Sequence, residues 1–319
     1  MNKMTRSVLP RLFLWPLETH LDQMTVRLLR TPGSREVDFS KPVGEPALVG
    51  VDSVSWRIFK NPVSVFVGGI AAVILELAEP SVRSGVWEHS SFRTNPVRRL
   101  QRTGMAAMMT VYGARNAAEK MIAGVVRRHD TVSGTTPDGE AYHANDRKLL
   151  DWVQATAAYG FAEAYNRYVH PLGEEGLSQV FAEGADAARL YGAAGAPVSW
   201  GGWKELLKSK RDRLEPSPIV FEFLDIMANA PVLPPALRPL QRLIIRGAVE
   251  MTPLWVRERV GLSKRYGLGT AEEALLRQAG KFVDAIVLRS SPAVQACRRL
   301  GLPPDYLYGP RAANSYKAA

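Results

Sequence analysis

Residues 75–134, LELAEPSVRSGVWEHSSFRTNPVRRLQRTGMAAMMTVYGARNAAEKMIAGVVRRHDTVSG, decide the fold and hold most of the candidate chemistry. Apolar residues recur there at steps of three and four: Met121, Ile122, Val125 and Val126. His129 continues this stripe, which is the pattern of one face of a helix. The imidazole of His129 is therefore predicted to point inward, whereas Arg127 and Arg128 point outward.

The same stretch predicts where its helices begin. Pro80 suits a first helical turn, because its missing N–H would have no partner there. Asn95 followed by Pro96 is a stronger start signal, because the Asn side chain can cap free N–H groups. Gly104 is expected to kink or divide the second of these helices. Upstream, Val63–Ala78 is apolar on nearly all sides and too short to span a bilayer, which indicates a buried core helix.

The remaining pattern is also helical, with no alternation typical of strands. Helices are predicted over 21–30, 52–60, 146–169, 177–191, 200–212, 219–229, 240–250, 255–260 and 272–288. Residues 130–139 are predicted to form a loop. The fold class is therefore all-α, a single globular multi-helix domain over residues 47–310. A lead-in at 1–46 precedes it, and a frayed tail at 311–319 follows.

Composition limits the class of protein. Of 319 residues, 46% are hydrophobic, which is ordinary for a globular domain. The lone Cys297 excludes an internal disulfide and Cys-rich metal sites, and it favours a cytoplasmic, reducing compartment. The net charge of +10 fits either a basic surface without a charged partner or peripheral contact with an anionic membrane.

The basic run Lys208–Arg213 lacks aromatic residues, so no nucleic-acid partner is predicted. Pro10 and Pro16 interrupt the apolar N-terminal segment, so a signal peptide is not expected.

Several catalytic classes lack their sequence signals. No two histidines stand at the spacing of a zinc protease, and no G-x-S-x-G or phosphate-binding glycine loop is present. His20 and His170 are predicted at the surface, and His143 in a structural position or at a pocket rim. A lone histidine such as His129 is more often a packed core residue than a ligand. If it binds iron, one imidazole facing an apolar cavity suits haem better than a non-haem centre, which needs further ligands.

Polar candidates cluster in the same stretch. Arg99 and Thr103 are four residues apart and share a helix face, with Arg102 about a third of the way round. A buried Arg beside an oxygen-binding site can stabilise negative charge, although the same residues also fit a solvated basic face. Three carboxylates are candidates for acid–base work in a dry pocket: Glu76, Glu79 and Glu88.

Seven segments together resemble one family. They are GVDSVSWRIFKNP (50–62), GGIAAVILELAEPSVRSGVWEHSSF (68–92), NPVRRLQRT (95–103), VYG (111–113), HDTVSG (129–134), YHANDRKLLDWVQAT (142–156) and TPLWVRERVGL (252–262). In order and spacing they resemble the MpaB-type oxygenases, which share a catalytic domain with rubber oxygenases. The resemblance covers roughly residues 47–262. It implies an all-helical fold that encloses a b-type haem pocket and oxidative cleavage of C=C bonds in isoprenoid chains.

The resemblance also implies roles for particular residues. The family's Arg-x-x-x-Thr pair falls on Arg99 and Thr103, and its proximal iron ligand falls on His129. Haem b is thus the expected cofactor, and O2 and a hydrophobic small molecule are the expected partners. Arg99, Arg102 and Thr103 are expected to line the oxygen-binding side. Glu79 or Glu88 would act as the acid–base residue.

Three positions depart from the family pattern. Arg102 stands where rubber oxygenases have Lys, and Glu79 and Gln154 stand where many members have His. Loss of both histidines predicts that Glu79 and Gln154 touch through a hydrogen bond. Alternatives stay open: a haem-dependent hydroxylase or peroxidase, a non-catalytic haem-binding protein, or a binder of nucleic acid or membranes. The sequence leaves the substrate and the oligomeric state open.

Overall fold

The computed structural model describes residues 22–23 and 37–309, and this part of the chain is mostly helical. The helices are α1 (Val54–Phe59), α2 (Pro62–Ala78), α3 (Pro80–His89), α4 (Pro96–Tyr112), α5 (Arg115–His129), α6 (Arg147–Tyr168), α7 (Gly173–Glu183), α8 (Ala185–Leu190), α9 (Trp200–Ser209), α10 (Pro218–Asn229), α11 (Arg238–Met251), α12 (Leu254–Arg259), α13 (Thr270–Asp284) and α14 (Pro292–Arg299). The mainly helical fold is confirmed. The predictions for residues 1–21, 24–36 and 310–319, which include most of the helix predicted over 21–30, lie outside the described residues.

One prediction of a loop was wrong. Between α5 and α6, strands β1 (Ser133–Thr135) and β2 (Ala141–His143) form an antiparallel hairpin in which Gly134 faces Tyr142. Gly139 turns the chain at a φ of +87°, which favours glycine. Strands of three residues are too short to show alternation, so no periodic signal predicts them.

Helices α2 and α6 cross at the centre of the fold. A Cβ atom added at Gly68 would lie 2.6 Å from the carbonyl oxygen of Gly160, so the two backbones are in direct contact there. Further along α2, Glu76 meets Thr156, which precedes Gly160 on α6. The two helices therefore run antiparallel, and only glycine permits their close approach. The apolar run predicted as a core helix is α2, and most of its residues are buried.

Helices α2, α3 and α4 begin in the same way, with a capping side chain followed by proline. The side-chain oxygens of Asn61, Glu79 and Asn95 accept backbone N–H groups of the first turns at 3.0, 2.8 and 3.2 Å. The starts predicted for α3 and α4 are thus confirmed. Gly104 does not interrupt α4, which continues to Tyr112.

Other helix boundaries differ from the sequence pattern. The single helix predicted over 177–191 is two helices that meet at Gly184. Helix α14 was not predicted. It holds a fully buried Arg299, whose guanidinium donates to the carbonyl oxygens of Glu45 at 2.8 Å and Phe39 at 2.7 Å. Residues preceding α1 are therefore anchored to the last helix.

Helices α4 and α5 form a pair at one side of the central crossing. They pack on each other, α4 also packs on α1 and α14, and α5 packs on α8. Neither packs closely against α2 or α6. Within the described residues, no single helix is long and apolar enough to cross a membrane, and only α2 and α3, bent by 112° at their junction, pass as a pair by length and composition.

Candidate active site

His129 ends α5 on the inward side of the helix. Its ring is half-buried, whereas Arg127 and Arg128 are exposed, as the apolar stripe predicted. The Nδ1 atom is fully buried and has no hydrogen-bond partner within the described part of the chain. Burial lowers the pKa of the imidazole, and the positive charge of Arg99 lowers it further. The ring is therefore held neutral, with a nitrogen lone pair free to bind.

A polar network supports this end of α5. The side-chain amide of Asn145 donates to the carbonyl oxygen of Val126 at 3.1 Å and to Oδ1 of Asp130 at 2.6 Å. His143 accepts the backbone N–H of Asn145 at Nδ1 (3.1 Å), and its Nε2 lies 3.4 Å from the carbonyl oxygen of Asp130. His143 therefore has a structural position, one of the two places predicted for it.

Arg99 and Thr103 share a face of α4, as their spacing predicted. The Nη1 atom of Arg99 donates to Oγ1 of Thr103, and Thr103 Oγ1 donates to the carbonyl oxygen of Arg99 at 2.9 Å. Arg99 is close enough to influence the pKa of both Glu76 and His129, so its charge lies between α2 and α5. Arg102 is exposed, and its charge is felt by Arg99.

Glu76 is the carboxylate that the fold brings to Arg99. Burial raises its pKa from 4.5 to about 7, against the opposing effects of Arg99 and of Thr156, whose Oγ1 lies 3.5 Å from Oε1. Glu76 keeps a partly accessible surface, as a residue lining a groove should, yet it lies deep enough for desolvation to dominate. It therefore exchanges a proton near neutral pH.

The two carboxylates preferred from the sequence lie elsewhere. Glu79 is almost fully buried, caps α3 through Oε2 and accepts Arg213 Nε at Oε1 (2.7 Å). Glu88 is exposed and accepts the hydroxyl of Tyr142 at 3.2 Å. Both have structural partners, and neither is brought to Arg99 or His129.

The predicted bond between Glu79 and Gln154 was wrong. Both oxygens of Glu79 are engaged by α3 and Arg213. Gln154 instead lies beside Gly184, where its Nε2 is 3.5 Å from the position a Cβ would occupy, and it lines a cavity of about 30 Å³ there. The reason is the helical periodicity of α6, which places Thr156 toward Glu76 and turns Gln154 toward α7.

Apolar side chains of intermediate exposure surround the polar residues. They are Val73 on α2, Leu100 and Met105 on α4, Met121, Val125 and Val126 on α5, and Leu149 and Val153 on α6. Arg99 of α4 acts on both Glu76 of α2 and His129 of α5, so we infer that these three side chains face a common space beside the half-buried apolar residues. We call this space the α2/α5 groove. It combines an apolar lining with one imidazole, one guanidinium and one carboxyl group.

Other spaces and ligand sets lie outside the groove. A surface cavity of about 280 Å³ is lined by Arg115, Glu119, Arg189 and their neighbours, without His129 or Glu76. Among residues 22–23 and 37–309, no group of three or more His, Cys, Asp or Glu side chains converges as a metal ligand set would. Within that part of the chain, His129 therefore has no companion ligands of the kind a non-haem centre requires.

The helical fold and the groove agree with the comparison against protein families. Residues 56–285 match the family described as ER-bound oxygenase mpaB/B'/Rubber oxygenase, catalytic domain. The match spans most of the chain, so the chain belongs to this family, as its motifs predicted. It is accordingly an oxidoreductase domain of the oxygenase type, which uses O2 and a small-molecule substrate. No curated protein and no solved structure gives a significant match.

Proposed function

We propose that this chain is a haem b-dependent oxygenase in which His129 would bind the iron. The observation that carries the proposal is the imidazole of His129. It is kept neutral by burial and by Arg99, and it lies on the wall of an apolar groove. Metal ligation requires a deprotonated imidazole, so the lowered pKa favours it.

The residues of the α2/α5 groove fit a haem group in three respects. Apolar side chains on the helices that carry Arg99 and His129 are only half-buried, as expected of surfaces that a flat apolar ring would cover. Arg99 supplies a cation that can pair with a propionate. The imidazole of His129 is only half-buried, so part of the ring is accessible to a ligand.

The protein's own groups then have separate roles. Haem b, when bound, would supply the iron chemistry needed for reaction with O2. Arg99, oriented by Thr103, places positive charge in the groove and can stabilise negative charge that develops on the reacting oxygen atoms. Glu76 can hold or release a proton at its carboxyl oxygens, because its pKa of about 7 is matched to neutral pH. Glu76 thus replaces Glu79 and Glu88 as the proposed acid–base residue.

The lining indicates a hydrophobic substrate. Val73, Val125 and Val153 belong to the apolar lining, which would exclude water and bind an isoprenoid or lipid-like chain by burial. Membership of the oxygenase family supports oxidative cleavage of a C=C bond. In that reaction both atoms of O2 enter the products, the C=C bond breaks, and two carbonyl groups form.

Haem binding by wild type, His129→Ala and His170→Ala tests the proposal. His170 is the control, because its side chain is 55% exposed and lies on the Asp284 side of the molecule. Each purified protein would be titrated with haemin and followed by its Soret band. We expect a stoichiometric band in wild type and His170→Ala, and loss of the ligated spectrum in His129→Ala. No band in wild type, or an unchanged band in His129→Ala, would contradict the assignment.

The reaction type is tested by products. The haem-loaded protein would be incubated with squalene under ¹⁸O2, and the products analysed by mass spectrometry. Cleavage predicts two carbonyl fragments with one labelled oxygen each. One heavier product of the full chain length would instead identify a hydroxylase. Oxygen uptake no faster than for His129→Ala, with squalene and with a fatty acid, would indicate a haem-binding protein without turnover.

A further inference from the structure

The orientation of Asn145 is fixed by what its amide nitrogen contacts. The two N–H groups at Nδ2 face two acceptors, the carbonyl oxygen of Val126 and the carboxylate of Asp130. Turning the amide over would set its oxygen against both acceptors, with no hydrogen between them. The side-chain carbonyl of Asn145 must therefore point away from these two groups.

That carbonyl oxygen has no partner of its own. Oδ1 of Asn145 is buried and makes no hydrogen bond within the described part of the chain, and the same holds for Nδ1 of His129. The two side chains are neighbours, because Nδ2 of Asn145 bonds Val126 and Asp130, which lie three residues before and one residue after His129. No hydrogen bond joins His129 Nδ1 and Asn145 Oδ1 in this structure, so the two groups are adjacent but unbonded.

The two unpaired atoms complement each other. A neutral imidazole carries one N–H and one lone pair, and a carbonyl oxygen can only accept. Leaving both atoms buried and unpaired is unfavourable, whereas one Nδ1–H···Oδ1 bond satisfies both. The other ring nitrogen, Nε2, is not buried in this way. Chemistry therefore favours the proton on Nδ1 and the lone pair on Nε2.

We propose that Asn145 is a positioning residue for His129: its side-chain carbonyl accepts the Nδ1 proton and leaves Nε2 as the nitrogen that binds iron. This inference rests on the proposed function for the identity of the metal, but the tautomer it assigns is a property of the protein alone. Asp130 and Val126 act indirectly. They hold the Asn145 amide in the orientation that its bond to His129 Nδ1 requires. An outer bond of this kind fixes the direction of the ring and raises the basicity of a ligating imidazole.

The tautomer can be measured without haem. The protein would be labelled with ¹⁵N in its histidine rings, and the ring nitrogens observed by long-range proton–nitrogen NMR at pH 8. Five histidines give a small set of signals, and loss of one set in His129→Ala assigns the site. We expect a protonated Nδ1 in wild type and a shift toward protonated Nε2 in Asn145→Ala. A wild-type His129 protonated at Nε2 would overturn the proposal, and so would a tautomer that Asn145→Ala leaves unchanged.

Two further variants separate positioning from a general loss of structure. In Asp130→Asn, the amide oxygen of the new side chain can still accept from Asn145 Nδ2, so the Asn145 carbonyl keeps its orientation toward Nδ1, and we expect the wild-type tautomer. Asn166→Ala is the matched control. Its side chain also bridges two groups, donating to Glu163 at 3.0 Å and accepting from Leu172 N at 2.9 Å, far along α6. It should leave the tautomer of His129 as in wild type.

Haem affinity supplies the second readout. We expect Asn145→Ala to weaken haemin binding roughly 10- to 100-fold, as loss of an outer partner of a metal ligand generally does, and Asp130→Asn to keep most of the wild-type affinity. Wild type that has the Nδ1–H tautomer but binds no haemin would overturn the proposed function and leave the positioning role standing. Equal affinity of wild type and Asn145→Ala would overturn the positioning role. If Asn145→Ala does not fold, the wild-type tautomer alone decides.

Discussion

Replacing Glu76 by glutamine should stabilise the protein above neutral pH, because the carboxyl group lies where ionisation is unfavourable. Its pKa rises from 4.5 to about 7 on folding. At about 1.4 kcal/mol for each pKa unit, this corresponds to at most about 3 kcal/mol. A group whose pKa is raised in the folded state contributes its stability fully below the unfolded pKa, and that stability is lost as pH rises to about 7. Glutamine keeps the shape of the protonated acid and cannot ionise.

Urea unfolding of the haem-free protein at pH 5 and pH 8 tests this reasoning. Relative to wild type, Glu76→Gln should change the free energy of unfolding little at pH 5 and raise it by up to about 3 kcal/mol at pH 8. The control is Glu205→Gln, at an exposed position on α9, which should leave the wild-type pH dependence in place. If Glu76→Gln unfolds with the pH dependence of wild type, folding does not raise the pKa of Glu76. The acid–base role proposed for Glu76 would then be contradicted as well.

Two other predictions concern packing and a buried ion pair. Gly68→Ala should lower the free energy of unfolding by roughly 1–3 kcal/mol, because the new Cβ meets a backbone carbonyl of α6. Gly104→Ala, on α4 with no atom within 4 Å of the added Cβ, should instead raise it by roughly 0.5–1 kcal/mol. Arg213→Ala should cost roughly 3–5 kcal/mol by leaving the buried carboxylate of Glu79 unpaired. Arg189→Ala, which breaks an exposed pair, should cost at most about 1 kcal/mol. Urea unfolding at pH 7 checks all four, and equal effects within either pair would contradict the structural reason given.

Much of the helical fold follows from local sequence signals. Asn95-Pro96 and Glu79-Pro80 indicate where helices begin. The apolar stripe that runs to His129 indicates which face of α5 is directed inward. These signals act within one or two turns of chain, so they are readable without tertiary structure. The break at Gly184 and the helix α14 were missed, although Ser291 caps α14 before Pro292 in the same way as Asn95 caps α4 before Pro96. The packing of α14 does depend on contacts between distant segments. Arg299, for example, satisfies carbonyl groups more than 250 residues earlier.

The candidate site was only partly predictable for the same reason. The four-residue spacing of Arg99 and Thr103 correctly predicted that they share one face of α4. The choice among three carboxylates could not be made from spacing, because it depends on how α2 crosses α6 and on which side chain each helix turns inward. Asn145 gave no signal at all, since its partners at Val126 and Asp130 lie across the hairpin. Its backbone bond to His143 Nδ1 is local, but its functional contact is not.

Arg99 links the two titratable groups of the groove, and its charge acts on them in compatible ways. At His129 it disfavours protonation, which keeps the ring able to bind a metal. At Glu76 it favours the carboxylate, but burial outweighs it, so the acid is only partly ionised near pH 7. Within the described residues, the charge of Arg99 is therefore not fully neutralised by Glu76, and the nearby Arg102 adds to it. A groove that is apolar along its walls and positive at this edge favours a ligand with a flat apolar body and an anionic margin, which is the distribution of charge that haem b presents.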